Sequence, residues 1–350
     1  MPNLARCFAS LALALLTCSS CSKRIAEPIS ESHLTASPTP AAASAVSADA
    51  SPQLVPTQLL TLPSSAYQAS LFVDDEAVEL LTNTVAYRLV PGKDPVPRAL
   101  DLGFARTVTH HSYVYWSNGA IWSAPRGSAT ANASPRRILT LSHQPQRFVA
   151  DIDDERETIA WLDRSEDDHY ALNTAQKQGV KRLYTSPGSI DALALAADAV
   201  YFVERPEAQG FRIGRVALAD GATRFTASKS GRWPAMLSAS KEVVYYDGSS
   251  HEVLALSLDL QHERRLAKDL ICSPLAVTAN VYCSAMNRLF EVPESGAAAP
   301  RQVVTSPLLI TSLAAHAERL AWIVDSGGRD HDQLLVNTLT LEEADATAPP

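Results

Sequence analysis

The chain has little of what most enzymes of its length carry. Hardly any stretch shows the 3.6-residue apolar period of an amphipathic helix, which excludes helical bundles and weighs against folds built from β-α-β units. It has no Gly-x-Ser-x-Gly elbow, no glycine-rich phosphate loop and no histidine pair at metal-ligand spacing on a helix. Basic charge is also short. Thirty Lys and Arg stand against 38 Asp and Glu, a net charge of -8. That balance lacks the footprint of a nucleic-acid binder, so no nucleic-acid partner is expected. Near the N-terminus, the apolar run from Phe8 to Leu16 is too short to span a bilayer as a mature helix.

What is present is a motif that returns seven times. An apolar, aromatic-rich run follows a short polar turn in Val78-Glu79-Leu80-Leu81, Val114-Tyr115-Trp116, Ile159-Ala160-Trp161 and Val200-Tyr201-Phe202. It recurs in Val244-Tyr245-Tyr246, Val281-Tyr282-Cys283 and Leu320-Ala321-Trp322. Anchors at 79, 115, 160, 201, 245, 282 and 321 give steps of 36, 45, 41, 44, 37 and 39. Periods of roughly 40 residues, each holding several short strands, mark a β-propeller.

The fourth repeat shows the plan of a blade. Strands are expected at Ile190-Asp191-Ala192-Leu193-Ala194-Leu195, Val200-Tyr201-Phe202-Val203, Phe211 to Val216 and Thr223 to Thr226, with turns at Ala197-Asp198 and Asp220-Gly221. The last repeat stops at a third strand, Leu334 to Leu339. Gln58 to Leu62 reads like the outer strand Arg137 to Leu141, so residues near 57–62 are expected to pair beside Leu334–Leu339 and close the ring. The fold class is therefore all-β: a seven-bladed β-propeller whose last blade is completed by an N-terminal strand. The second-strand aromatics Tyr115, Trp116, Trp161, Tyr201, Tyr245 and Trp322 are expected between blades, as core. The rhythm over about 55–340 resembles YWTD-type and WD-repeat propellers. No blade carries a full Tyr-Trp-Thr-Asp signature; Asp163, Asp247 and Asp325 are its nearest echo.

The N-terminus carries a different signal. Arg6, the short apolar run and Thr17-Cys18-Ser19-Ser20-Cys21 resemble the leader and lipobox of bacterial lipoproteins. The resemblance implies that a cysteine becomes the lipidated first residue. Cys21 follows small residues, whereas Cys18 has Leu15 three places before it but Thr17 directly before it; Cys21 is preferred. The expected organisation is a signal peptide over 1–21, a disordered Ala/Ser/Pro-rich tether over 22–53, the propeller over 54–341 and a loose tail over 342–350. The implied location is the bacterial cell envelope, with the lipid anchor as the membrane contact. Ser22 after the lipidated cysteine suggests the outer membrane if the cell is Gram-negative.

Candidate site residues fall on one side of the ring. Glu166, Asp167 and Asp168 in the third repeat, and Asp330 and Asp332 in the seventh, lie between second and third strands. In propellers that connection shares a face with the links between blades, which is the usual ligand side. Trp233 lies between repeats four and five on the same side. Oxygen-rich loops suit calcium, yet neither run has the spacing of a calcium loop, so no cofactor or metal is assigned. Asp151-Ile152-Asp153-Asp154 and His110-His111 read as turns. Cys272 and Cys283 flank a hairpin; pairing 275 with 280 sets them opposite each other, within reach of a disulfide.

The function expected is a non-catalytic binding scaffold for an envelope protein or glycan, present as a monomer. The alternative is a propeller enzyme (hydrolase, lactonase or lyase) with a site drawn from several blades, metal-dependent or not.

Overall fold

A computed structural model describes residues 56–62, 69–100, 106–109, 111–126, 134–152, 157–164, 169–177, 179–196, 198–206, 210–230, 234–239, 241–325 and 334–340. Seven small antiparallel sheets form a ring, one per blade. Blades one to six are simple meanders; the fourth also carries a two-residue strand, Lys229–Ser230, beside Gly210–Ala217. The seventh departs from chain order. Its first three strands are Leu309–His316, Arg319–Asp325 and Leu334–Thr340, and its outer strand is Thr57–Leu62. Thr57 faces Thr338 and Leu62 faces Leu334, with a bulge between Gln58 and Leu60. The expected seam is therefore present.

The repeated motif forms the second strand of every blade. All four residues of Val78–Leu81 are buried, as are six of the seven in Ala199–Arg205. Both faces of these strands are covered by neighbouring blades, so an apolar run replaces simple alternation. The period of two survives in the choice of neighbour. Tyr201 and Val203 pack with Tyr245 and Leu254 of blade five. Val200 and Phe202 pack with Ala160 and Leu162 of blade three. Trp161, Tyr201, Tyr245 and Trp322 are all but fully buried, Tyr115 is buried, and Trp116 is half-buried. Gly214 pairs across from Phe202, and a Cβ there would lie 2.3 Å from the ring. The glycine is what lets that ring lie flat on the sheet.

The hairpin of blade six differs from expectation. Leu275 pairs with Cys283, Ala276 with Tyr282 and Val277 with Val281. The turn spans residues 278–280, and Cys283 faces Leu275 rather than Cys272. The cause is local. Pro274 has no N–H to give the ladder. The Ser273 N–H donates to the Ser284 carbonyl at 2.8 Å, and the Ser284 N–H donates to the Pro274 carbonyl at 3.0 Å. Two residues thus face one, a bulge that shifts the register. The same bulge restores the phase of the strand, so Cys272 and Cys283 share a face and one apolar cluster.

Polar contacts fasten blades to each other. The Tyr201 hydroxyl donates to the Leu258 carbonyl of blade five at 2.8 Å, and Thr109 of blade two donates to the Ile152 carbonyl of blade three at 3.2 Å. Burial, then Glu79, pushes the Tyr113 hydroxyl well up; burial, then Glu263, does the same at Tyr245. Tyr184 is pushed up to about 12 by burial, then by Glu204. These folded values lie above the unfolded value of about 10. The stabilisation is thus fully present below pH ~10 and is lost as pH rises through the folded values. Melting temperature should hold up to about pH 10 and then fall steeply. A melting temperature unchanged from about pH 9 to 12 would contradict this burial.

Candidate binding face

Chain direction in each meander puts two sets of connections on one face, here called upper: the second-to-third-strand turns and the links between blades. They are tied together. Leu100 donates its N–H to the Thr84 carbonyl at 2.9 Å and Leu141 to Gly119 at 2.9 Å. Leu270 does so to His251 at 3.0 Å and Ile310 to Met286 at 2.9 Å. In blades one, two and five, then, the outgoing link docks on the turn of its own blade, and at blade six the first strand of blade seven does so, making the upper face a braced surface.

Carboxylates at the upper ends of second strands are held in place. Glu204 is fully buried; its Oε1 accepts from Tyr184 Oη at 2.7 Å and from Ser186 Oγ, and its Oε2 meets Arg212 Nε at 2.6 Å. Tyr184 and Ser186 belong to blade three, so Glu204 joins two blades. The Arg212 guanidinium also lies 3.7 Å over the Phe225 ring. Asp163 Oδ2 accepts from Trp161 Nε1 at 2.9 Å and Asn173 Nδ2 at 3.0 Å. Asp247 accepts the Ser249 N–H at 2.9 Å. Among the described residues, no group of three or more His, Cys, Asp or Glu is placed to hold a metal ion.

A different feature stands out at blades six and seven. Ile271, Met286 and Leu309 are 50%, 67% and 52% exposed. Met286 is in the second-to-third-strand turn of blade six, and Leu309 precedes the residue bonded to its carbonyl. Ile271 and Met286 each lie two residues beyond the Ser273–Ser284 bond, towards the upper face. Chain position thus groups the three exposed residues along the upper side of blades six and seven, here called the apolar edge. Met286 also has φ +57, in the left-handed region. Asn118 and Gly119 take that conformation in the corresponding turn of blade two, at lower steric cost than a long side chain. Lys268 and Arg288 are exposed at the rim of the edge.

The structure reaches the sequence-derived candidates unevenly. Glu166, Asp167, Asp168, Trp233, Asp330, Asp332 and Cys21 lie outside the described residues. The segments that hold the five acidic residues do join second to third strands, between Glu157–Arg164 and Tyr170–Gln176 and between Arg319–Asp325 and Leu334–Thr340. Cys272 and Cys283 are free thiols and fully buried. The apolar edge and Glu204 were not singled out from the sequence. The signal for Glu204 was an acid at the end of a buried strand, where Asp163 stands in the previous repeat. The signal for Met286 was a methionine inside a two-residue turn.

No family model and no curated protein matches the chain. Solved structures do. The WD40 β-propeller domain of Doa1 superposes with a TM-score of 0.57 at 9% identity, over 83% of this chain and 98% of that one. A catalytically inactive virginiamycin B lyase from Staphylococcus aureus with quinupristin gives 0.55 at 12% identity, over 82% and 99%. A streptogramin B lyase gives 0.55 at 8%, over 80% and 98%. At these identities the likeness is one of fold.

Proposed function

We propose that this protein is a cell-envelope propeller, lipid-anchored through Cys21, that serves as a non-catalytic scaffold and binds a protein partner on its upper face. The observation that carries the proposal is the apolar edge of Ile271, Met286 and Leu309. Three aliphatic side chains in water, one on an unfavourable left-handed backbone, are a cost that a bound partner would offset. An apolar edge suits a protein better than a glycan, since aliphatic groups offer a sugar's hydroxyls no hydrogen bonds. Lys268 and Arg288 at the rim favour an acidic surround on the partner. The loops holding Glu166, Asp167, Asp168, Asp330 and Asp332, with Trp233, would widen the contact on the same side. The fold is shared by a lyase and by a WD40 domain, so fold alone favours neither catalysis nor binding. Both oxygens of Glu204, and Oδ2 of Asp163, are engaged by neighbouring side chains. That supports a structural use for them.

Capture from a solubilised envelope extract tests the reading. Met286→Asp should retain the fold by circular dichroism and weaken capture of the partner at least about tenfold, a loss of roughly 1.4 kcal/mol. Equal capture by wild type and by Met286→Asp combined with Leu309→Asp would remove this edge from the proposal.

A further inference from the structure

We infer that Cys272 and Cys283 are joined by a disulfide in the exported protein, and that this bond staples the binding edge of blade six. The inference rests on the export reading above. Both side chains are fully buried and lie in one cluster with Tyr246, Val253 and Leu266 of blade five. The bulge at Ser273–Pro274 puts them on the same face of the blade, diagonal to one another, although they are not directly opposed. A disulfide spans a Cα separation of about 4.4–6.8 Å; diagonal neighbours on an unbroken ladder lie about 7–8 Å apart, so the bond draws on the bulge to bring the two strands slightly closer. Burial, then the neighbouring Cys283, raises the Cys272 thiol well above the ordinary thiol range.

Other uses of the pair fit poorly. A reactive thiolate needs a nearby cation or a helix N-terminus. This pair has burial instead, which favours the neutral thiol. A structural zinc needs four ligands, and no third His, Cys, Asp or Glu joins these two among the described residues. Two apposed thiols in an oxidising compartment have one ready reaction. The thiolate of one cysteine attacks the disulfide of an oxidised thiol oxidoreductase, forming a mixed disulfide and releasing one of the donor's thiols. The second cysteine attacks the mixed bond, the Cys272 Sγ–Cys283 Sγ bond forms, and the donor's second thiol leaves. Two electrons pass to the donor disulfide, and the two thiol protons end on the donor's thiols. Because both sulfurs are covered in the closed ring, this exchange occurs before blade five seats on blade six.

The location gives the bond a purpose. Cys272 adjoins Ile271, and Cys283 opens the short stretch that ends at Met286. A covalent tie between link and second strand would fix the spacing of two of the three edge residues before a partner arrives, which lowers the ordering cost of binding.

The test uses the full chain, detergent-solubilised from the envelope of an expressing bacterium, and the same chain refolded from the reduced state in a glutathione redox buffer. Each is denatured with an alkylating reagent, with and without prior reduction, and the peptide spanning both cysteines is weighed. The expected result is a peptide about 2 Da light and unalkylated without reductant, and doubly alkylated with it, in both preparations. A bridge in the refolded chain with free thiols in the cell-derived chain would overturn the export reading that the inference rests on, with the geometry upheld. Double alkylation without reductant in both would overturn the inference itself. Cys272→Ser gives a second readout: a melting temperature about 5 °C below wild type, matched by wild type refolded in reductant. Wild type indifferent to reductant would also overturn it.

Discussion

Deleting residues 54–62 is expected to lower the melting temperature of the propeller by at least about 10 °C, or to leave it unfolded. The segment supplies a whole outer strand. Its backbone pairs with Leu334–Thr340 from Leu62↔Leu334 to Thr57↔Thr338. Leu62 is buried, and Leu59 and Leu60 pack against a cluster that also holds Val78 and Leu80 of blade one and Ile323 and Val336 of blade seven. Burying three leucines in part or whole contributes about 5 kcal/mol before ordering costs. The loss reaches beyond that sum. The third strand of blade seven would become an open edge, and open edges template aggregation. The cluster at the seam is also what holds the first and last blades together, so its loss opens the ring. A truncated chain with an unchanged melting temperature would show that the ring is closed in some other way.

Glu79→Ala is expected to cost about 3–5 kcal/mol, read as a shift in the urea midpoint without a change in slope. Glu79 is fully buried in a second strand. Its Oε1 meets Arg88 Nη1 at 2.7 Å and Arg126 Nη2 at 3.6 Å, and its Oε2 accepts from Tyr113 Oη at 2.6 Å. Arg126 crosses from blade two, reaches Asp74 at 2.6 Å and lies 4.3 Å over the Phe72 ring. Removing the carboxylate leaves two arginines to Asp74 and the exposed Glu76, and strips Tyr113 of its acceptor. Breaking one partner of a buried charge cluster costs far more than the cluster contributes net, because the remaining charge stays desolvated. Glu79→Gln should cost less, since it keeps the shape and part of the hydrogen bonding. Equal midpoints for wild type and Glu79→Ala would show that Asp74 and Glu76 suffice to neutralise both arginines.

The architecture was legible because one physical demand repeats. Every second strand must be apolar on both faces, so Val200-Tyr201-Phe202 and its counterparts announce themselves without any knowledge of neighbours. The seam was legible for the same reason: a third strand with no successor and an orphan strand at the other end complement each other. The register at Cys272 was not legible. It turns on a proline that withholds one N–H, and a hairpin read residue by residue assumes an unbroken ladder. The clamps were hidden by distance along the chain. Tyr113 and Glu79 are 34 residues apart, and Ser186 and Glu204 are 18 apart. The apolar edge escaped for a subtler reason. Leu309 and Ile271 look like ordinary strand or link residues, and only the positions of the adjoining turns reveal that about half of each side chain is exposed. Reading loops for charge directed attention to Glu166 and Asp330 and away from a methionine.

The central claim, that the upper face at blades six and seven is where a partner binds, is tested most directly by site-specific photocrosslinking in cells. A photoreactive residue is placed at position 286 on the upper face, and separately at position 298, in the third-to-fourth-strand turn of the same blade on the opposite face. The account predicts a discrete crosslinked product from 286 and none from 298, with the 286 product lost when Leu309 is changed to Asp. A product from 298 with none from 286 would contradict it.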